Sequence, residues 1–413
     1  LISGGSPSRA HDDPAVRVND DGGVDSFPPL TCVFADGLLP FAIDVAEEVG
    51  VPALAFRTSS ACSFLAYLSV PRLLELGELP FPAGGGGLDE PVRGVPGMEG
   101  LLRRRDLPVQ CRRCTAGARS LDPVLQTAVT ATAHTGKARA LVFNTTASLE
   151  GAALTRIAPH VRDVFAVGPL HAMCPAPTAA SLWREDDGCM AWLDGHEDRS
   201  VVYVSLGSLT VISQDQLTEF LSGLLAAGYP FLWVLRPDMV GSSSSGGGQD
   251  PVAVVQAALD AAGREDDAAA ASRVVAWAPQ RAVLRHRAVG CFLTHAGWNS
   301  VLEAVAEGTP TVCWPFFADQ QVNSRFVGAV WCVGLDMKDV CDGDVVARTV
   351  REAMESDGIR RAARAMAEQV RRDVADGGSS AVEFERLVRF IKELSTPGVE
   401  TEHRQNGGGI SQG

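Results

Sequence analysis

Apolar and polar positions along this chain follow two periods in turn, and the switches between them set out a repeated strand–helix order. The run "TCVFA" at 31–35 reads as a short buried strand, and Asp36-Gly37 as the turn after it. "FAIDVAEEV" at 41–49 carries its apolar residues at helical spacing, Gly50 stops it, and "PALAF" at 52–56 is the next strand. A strand, a helix and a second strand in that order predict a parallel sheet with a right-handed crossover. "ARALVFNTT" and "VFAVGPL" add two strands, with a helix near 147–158 between them. Residues 1–29 show no period and read as irregular. Residues 77–113, rich in Gly, Pro and Arg, read as long loops.

A second alternation starts after 180. "SVVYVSLGS", "PFLWVL", "RVVAWAP", "VGCFLTH" and "PTVCWPF" read as strands. "SQDQLTEFLSGLLAAG", the Ala-rich stretch 252–272, "RAVLRH" and "SVLEAVAEG" read as helices, followed by more helices after 322, 343 and 357. "GSSSSGGG" at 241–248 is a flexible insert, and the Pro- and Ala-rich 172–182 is the linker. The expected organisation is an irregular segment 1–29, an α/β domain 30–180, a second α/β domain 181–379, a C-terminal helix 380–395 and a loose tail 396–413. Both domains read as doubly wound, so ligands are expected at the carboxyl ends of the strands, in the cleft between the domains.

Composition narrows the function. The 413 residues are 46% hydrophobic and 21% charged, with a net charge of −14. That balance predicts globular cores and disfavours a nucleic-acid partner, which needs concentrated Lys and Arg. The runs Arg103-Arg104-Arg105 and Arg112-Arg113 are short and read as solvated loop charge. Ten cysteines form no disulfide framework; Cys111 and Cys114 make a single CxxC, a weak metal signal. No apolar stretch reaches membrane-spanning length and no secretory leader pattern is visible, so the expectation is a cytoplasmic monomer without a membrane partner.

The most informative stretch is "FLTHAGWNSVLEA" at 292–304, where an apolar run ends at His295 and a helical pattern follows directly. One reading is purely structural: Ser300 caps the helix, Glu303 completes a capping box and His295 is a strand-end residue. The other uses the same geometry for a ligand. Free N–H groups at a helix start attract phosphate, Gly297 permits close approach, and His295 and Ser300 can donate to a diphosphate. Glu303, one turn on, can accept from both hydroxyls of a ribose. Neither a G-x-G-x-x-G nor a Walker lysine motif accompanies it.

The block from Trp277 to Gln320, "WAPQRAVLRHRAVGCFLTHAGWNSVLEAVAEGTPTVCWPFFADQ", resembles the 44-position signature box of plant family 1 UDP-sugar-dependent glycosyltransferases along its whole length. The wider resemblance runs over about residues 30–395. It implies the GT-B fold, two facing Rossmann-like doubly wound domains, the C-terminal one for the sugar nucleotide and the N-terminal one, incomplete here, for the acceptor. By this resemblance Trp277 stacks on uracil, with Ala278 and Gln280 beside the uridine. His295, Asn299, Ser300 and the strand-end Ser208 meet the diphosphate, and Glu303 holds the ribose. Asp319 and Gln320 hold the sugar hydroxyls. Gln320 and Trp298 go with glucose. The implied donor substrate is UDP-glucose, the acceptor a small hydrophobic molecule of plant secondary metabolism, and no metal or other cofactor is required.

The implied reaction is displacement at the anomeric carbon with inversion. It needs a base for the acceptor hydroxyl and stabilisation of the leaving diphosphate. In the family an Asp orients a His base, and Asp36 in "CVFADGLLPF" matches that Asp. The His lies on a strand well upstream of it. Here His11, in the polar "SRAHDDPAV", is the only histidine ahead of Asp36, and its setting is unlike the family's. The sequence therefore suggests a glycosyltransferase lacking the first part of its acceptor domain, first strand included. The alternative is a non-catalytic UDP-sugar-binding fragment or pseudoenzyme. A hydrolase or dehydrogenase on a similar sheet lacks its own motif.

Overall fold

The computed structural model describes residues 16–18, 24–26, 30–81, 87–113, 121–174, 183–241, 250–263 and 267–395. Residues 242–248 of the insert, most of the linker, Cys114 and the tail fall outside these residues. Strands β1 (Val16–Val18) and β2 (Val24–Ser26) form a small antiparallel pair in the segment read as irregular. β3 (Val33–Asp36), β4 (Ala53–Arg57), β5 (Ala140–Phe143) and β6 (Val164–Ala166) make a four-stranded sheet in that order, every pair parallel. β7 (Val201–Ser205), β8 (Phe231–Val234), β9 (Arg273–Val275), β10 (Val289–Thr294), β11 (Thr311–Cys313) and β12 (Gly334–Asp336) make the second sheet, ordered β12-β11-β10-β7-β8-β9, again all parallel.

In the second sheet the strand order reverses between β7 and β10, which lie side by side, with β8 and β9 to one side and β11 and β12 to the other. That switch point is where open parallel sheets leave a crevice beyond their strand ends. Local sequence explains the elements around it. β7 and β10 are buried along their whole length, as an all-apolar central strand requires. The helix Gln214–Ala227 starts on a reciprocal Ser213–Gln216 capping box and ends at Gly228, whose φ of 77° suits a residue without a Cβ.

The two halves share apolar packing. One cluster of buried side chains runs from Leu65 and Phe143 in the N-terminal half to Trp298, Val305 and Trp331 in the C-terminal half. Asp373, on the helix Asp357–Val374, accepts from the hydroxyls of Thr146 at 2.7 Å and Ser148 at 2.9 Å. The last helix, Ser379–Leu394, crosses back to the first sheet and sets Leu387 against Leu54, Val142 and Phe165. Helices at Ala61–Leu68, Val70–Glu75 and Pro123–His134 complete the N-terminal half. They were not foreseen from the pattern.

β3 is not the buried strand its composition suggests. Among the described residues it pairs only with β4, on one side, and its residues are all at least partly accessible. Phe34 is 50% exposed, Phe41 63% and Val45 51%, so the strand and the helix Pro40–Glu48 behind it present a continuous apolar edge. Unpaired edges of this kind favour contact with other chains. Replacing Phe34 and Phe41 together by Ser is expected to lower binding of an apolar dye such as anilinonaphthalene sulfonate and to reduce self-association in sedimentation. The melting temperature should hold, because neither side chain is buried.

Candidate functional site

The carboxyl ends of both sheets open into one cleft of about 1840 Å³. Of the residues singled out from the sequence, Ser208, Trp277, Ala278, Gln280, His295, Trp298, Asn299, Ser300, Glu303 and Asp319 all line it.

At its centre, β10 ends at Thr294 and the chain turns sharply through Ala296, which is fully buried at a φ of 63°. Positive φ in a residue with a Cβ is strained, and such strain is characteristic of sites where the backbone must be aimed. The helix Trp298–Glu307 follows, with Gly297 in the N-cap position and no side-chain cap. The expected capping box at Ser300 is therefore not formed: the helix starts before it, and Ser300 sits inside the first turn. Its hydroxyl instead accepts from Gln280 Nε2 at 3.0 Å. The same nitrogen donates to Glu303 Oε2 at 2.7 Å, so Gln280 fixes both residues toward the cleft.

The imidazole of His295 fits between two glycines. A Cβ on Gly207 would fall 2.5 Å from its Nε2, and one on Gly297 would fall 2.4 Å from the same atom. Burial, with the Arg236 guanidinium nearby, pushes the His295 pKa down to about 4, so the ring is neutral at neutral pH. Thr294 Oγ1 lies 3.3 Å from Nδ1. A Thr294 hydroxyl donating there would leave the N–H on Nε2. A neutral donor at a helix start suits an anion that brings its own charge, because it adds no buried cation when the cleft is empty.

At one end of the cleft, Trp277 stacks on Trp183, ring centroids 6.3 Å apart and 26° between planes. Trp183, not singled out by the sequence, lines the same cleft. Burial raises the Glu303 pKa, while Gln280 and Arg281 oppose the rise. At the other end Asp319 makes no cap to the helix Gln320–Arg325; its Oδ2 accepts from Asn323 at 2.9 Å. Burial raises the Asp319 pKa, and Asn323 counters it.

Three expected residues sit differently. Gln320 is buried and outside the cleft lining, and its Oε1 accepts the backbone N–H groups of Phe316 and Phe317 at 2.8 and 3.0 Å. Only its Nε2 is left for a sugar. Trp298 donates its indole N–H to the carbonyl of Asn144 at 2.8 Å, which ties the helix start to the N-terminal half rather than offering a donor to a ligand. Asp36 stands at the end of β3 as expected, but its Oδ1 accepts from Leu38 N at 2.8 Å and stabilises its own turn. Among the described residues no histidine hydrogen-bonds Asp36. His134 pairs with Asp44 at 2.8 Å, and the histidines of the cleft are His171 and His295. His11 lies outside the described residues.

A family model described as UDP-glucoronosyl and UDP-glucosyl transferase matches residues 119–361. A 7-deoxyloganetic acid glucosyltransferase of Catharanthus roseus is 44% identical over 378 residues, 89% of this chain and 75% of that protein. The chain belongs to this glycosyltransferase family. A myricetin 3-O-rhamnoside 1,2-glucosyltransferase of Crocosmia x crocosmiiflora is 43% identical, covering 90% of this chain and 76% of its own length. Among solved glycosyltransferases, the anthocyanidin 3-O-glucosyltransferase in complex with UDP superposes with a TM-score of 0.71 at 25% identity, over 88% of this chain and 76% of that one. Phytolacca americana UGT2, complexed with UDP-2fluoro-glucose and pterostilbene, gives 0.70 at 25%, over 88% and 77%. The facing parallel sheets described above are thus the GT-B fold. Among the described residues no helix is long and apolar enough to cross a membrane, and no cluster of metal-ligating side chains occurs.

In this glycosyltransferase the glycine at 207 is the most exacting requirement of the cleft. Gly207→Ala would place a methyl on the imidazole at a φ of 76°, costing about 1 kcal/mol in backbone strain alone. Calorimetric titration is expected to show UDP affinity reduced at least tenfold, with the unfolding temperature changed by only a few degrees.

Proposed function

We propose that the cleft binds UDP-glucose, with uracil against Trp277, the ribose on Glu303, the diphosphate at His295, Asn299, Ser300 and Ser208, and the glucose facing Asp319. The observation that carries this reading is the pairing of a neutral imidazole at an uncapped helix start with an acceptor-only carboxylate one turn later. A diphosphate needs donors and a ribose needs acceptors, and this turn supplies both in the right order. The reaction is transfer of glucose, with inversion, to a hydroxyl of a small plant metabolite. The relatives named above as glucosyltransferases support the reaction, and their acceptors support the small-molecule class. His295 and the helix N-terminus stabilise the departing UDP without a metal. By the family resemblance, Asp36 is the residue that would orient a base for deprotonating the acceptor. A second reading, a protein that binds the nucleotide sugar without turning it over, is favoured by the absence of any histidine bonded to Asp36 among the described residues.

Titration separates the readings. Glu303→Ala is expected to weaken UDP binding by about 2–3 kcal/mol, the scale of a buried charge-assisted pair. Unchanged affinity would remove the ribose role. Turnover of UDP-glucose with a panel of small alcohols and phenols then distinguishes enzyme from binder.

The pH dependence follows from Glu303. Both ribose hydroxyls can donate to the carboxylate, whereas in the acid one oxygen becomes a donor and only one is left to accept well, and burial has raised the pKa. UDP affinity should therefore be complete above that raised value and fall as pH drops through it, at a higher pH than an ordinary glutamate would give. In Glu303→Gln the acid limb should flatten.

A further inference from the structure

The arginines read from sequence as solvated loop charge do something else. Arg103, Arg105 and Arg112 among them fix loop 87–113 of the N-terminal half to the segment 321–339 of the C-terminal half. Arg112 reaches Asp339 at 2.6 Å, and Arg325 donates to the carbonyl of Leu101 at 2.9 Å. At the middle lies Asp106, with no solvent exposure. Its Oδ2 accepts the Arg103 backbone N–H at 2.8 Å and Arg103 Nε at 3.0 Å, and its Oδ1 receives the Lys338 ammonium at 2.9 Å.

Lys338 is 3% exposed, and its backbone has a φ of 49°. An ammonium has three donors, and here each has an acceptor: Asp106, Asp336 Oδ2 at 3.2 Å, and the carbonyl of Gln321 at 2.6 Å. Gln321 directly follows Asp319 and Gln320. One turn on, Asn323 Nδ2 donates both to Asp319 Oδ2 at 2.9 Å and to the carbonyl of Ala296 at 3.0 Å. A short chain of bonds thus leads from a buried carboxylate of the N-terminal half, through Lys338, to the turn that presents Asp319; the Asn323–Ala296 bond is a separate tie that Lys338 does not touch. A buried ion pair adds little net stability after desolvation, but it fixes geometry well when every donor is used.

We propose that Lys338, held by Asp106 across the boundary between the halves, is a positioning residue for the sugar end of the donor site: it fixes the first turn of the helix Gln320–Arg325 and so the place of Asp319. The proposal rests on the donor-site reading above. It makes a selective claim. Trp277, Glu303 and His295 hang on β9, β10 and the helix Trp298–Glu307, away from the Lys338 ammonium. Loosening Lys338 should therefore harm recognition of glucose and spare recognition of UDP.

The test is the ratio of UDP-glucose to UDP affinity, measured by titration calorimetry on the unaltered protein, Lys338→Met, Asp106→Asn and Asp319→Ala. In Lys338→Met and in Asp106→Asn the ratio is expected to fall about tenfold with UDP affinity nearly unchanged, the size of one lost charge-assisted contact. Asp106→Asn keeps the shape of the buried side chain, so it carries the test should Lys338→Met fail to fold. Equal weakening of both ligands, or an unchanged ratio in a folded variant, overturns the proposal and leaves the cluster a simple clamp. An unchanged ratio in Asp319→Ala overturns it at its premise, that Asp319 faces the sugar. Failure of the unaltered protein to bind UDP defeats the donor-site reading and this inference with it.

Discussion

The seating of one uncharged imidazole between two glycines governs the rest of the cleft. His295 can stand at the start of the helix Trp298–Glu307 only because neither Gly207 nor Gly297 has a side chain, and because Ala296 accepts a strained backbone to turn the corner. Burial keeps the ring neutral, so the cleft can remain open without a buried cation to solvate. The helix N-terminus then supplies the positive potential, and the imidazole supplies a directed donor. Everything else in the donor half is arranged about that corner: Gln280 aims Ser300 and Glu303 from one side, and Asn323 links the carbonyl of Ala296 to Asp319 on the other.

Much of this could be read in the sequence because it is local. The block 277–320 places strand end, turn and helix start within one continuous stretch, so residue type and spacing carry the chemistry directly. The strands of both sheets except β12 were readable for the same reason: each is a compact apolar run with a turn signal on either side, whereas β12 is three residues ending in an acid. Reading by spacing failed where backbone conformation or a strand's place in the sheet decided the outcome. Ser300 looked like a cap because Ser and Glu stand three apart, but Ala296 and Gly297 begin the helix earlier. Gln320 looked free for a sugar, but the backbone N–H groups of Phe316 and Phe317 take its oxygen. β3 looked buried because its residues are apolar, and composition does not reveal which strand stands at an edge.

Charge was the hardest feature to read. A run of arginines in a Gly- and Pro-rich loop resembles any solvated loop; some of their acceptors, Asp89 and Glu90, lie in that loop, but Asp336 and Asp339 lie more than two hundred residues away. Only Asp106, placed three residues after Arg103 and fully buried, indicates that the loop is folded around its charges. The N-terminal half thus contributes to the donor side through ion pairs, and through the Asn144 carbonyl that receives the Trp298 indole, more than through its own sheet.

That indole has a thermodynamic consequence. Trp298 belongs to the turn that would grip the diphosphate, yet its N–H is committed to the carbonyl of Asn144 in the opposite lobe. Two binding events sharing a mechanical joint are energetically coupled, and the coupling is reciprocal. By whatever factor an incoming alcohol changes nucleotide affinity through this contact, the nucleotide changes the alcohol's affinity by the same factor, so the two affinities are linked at this contact as well as in the pockets.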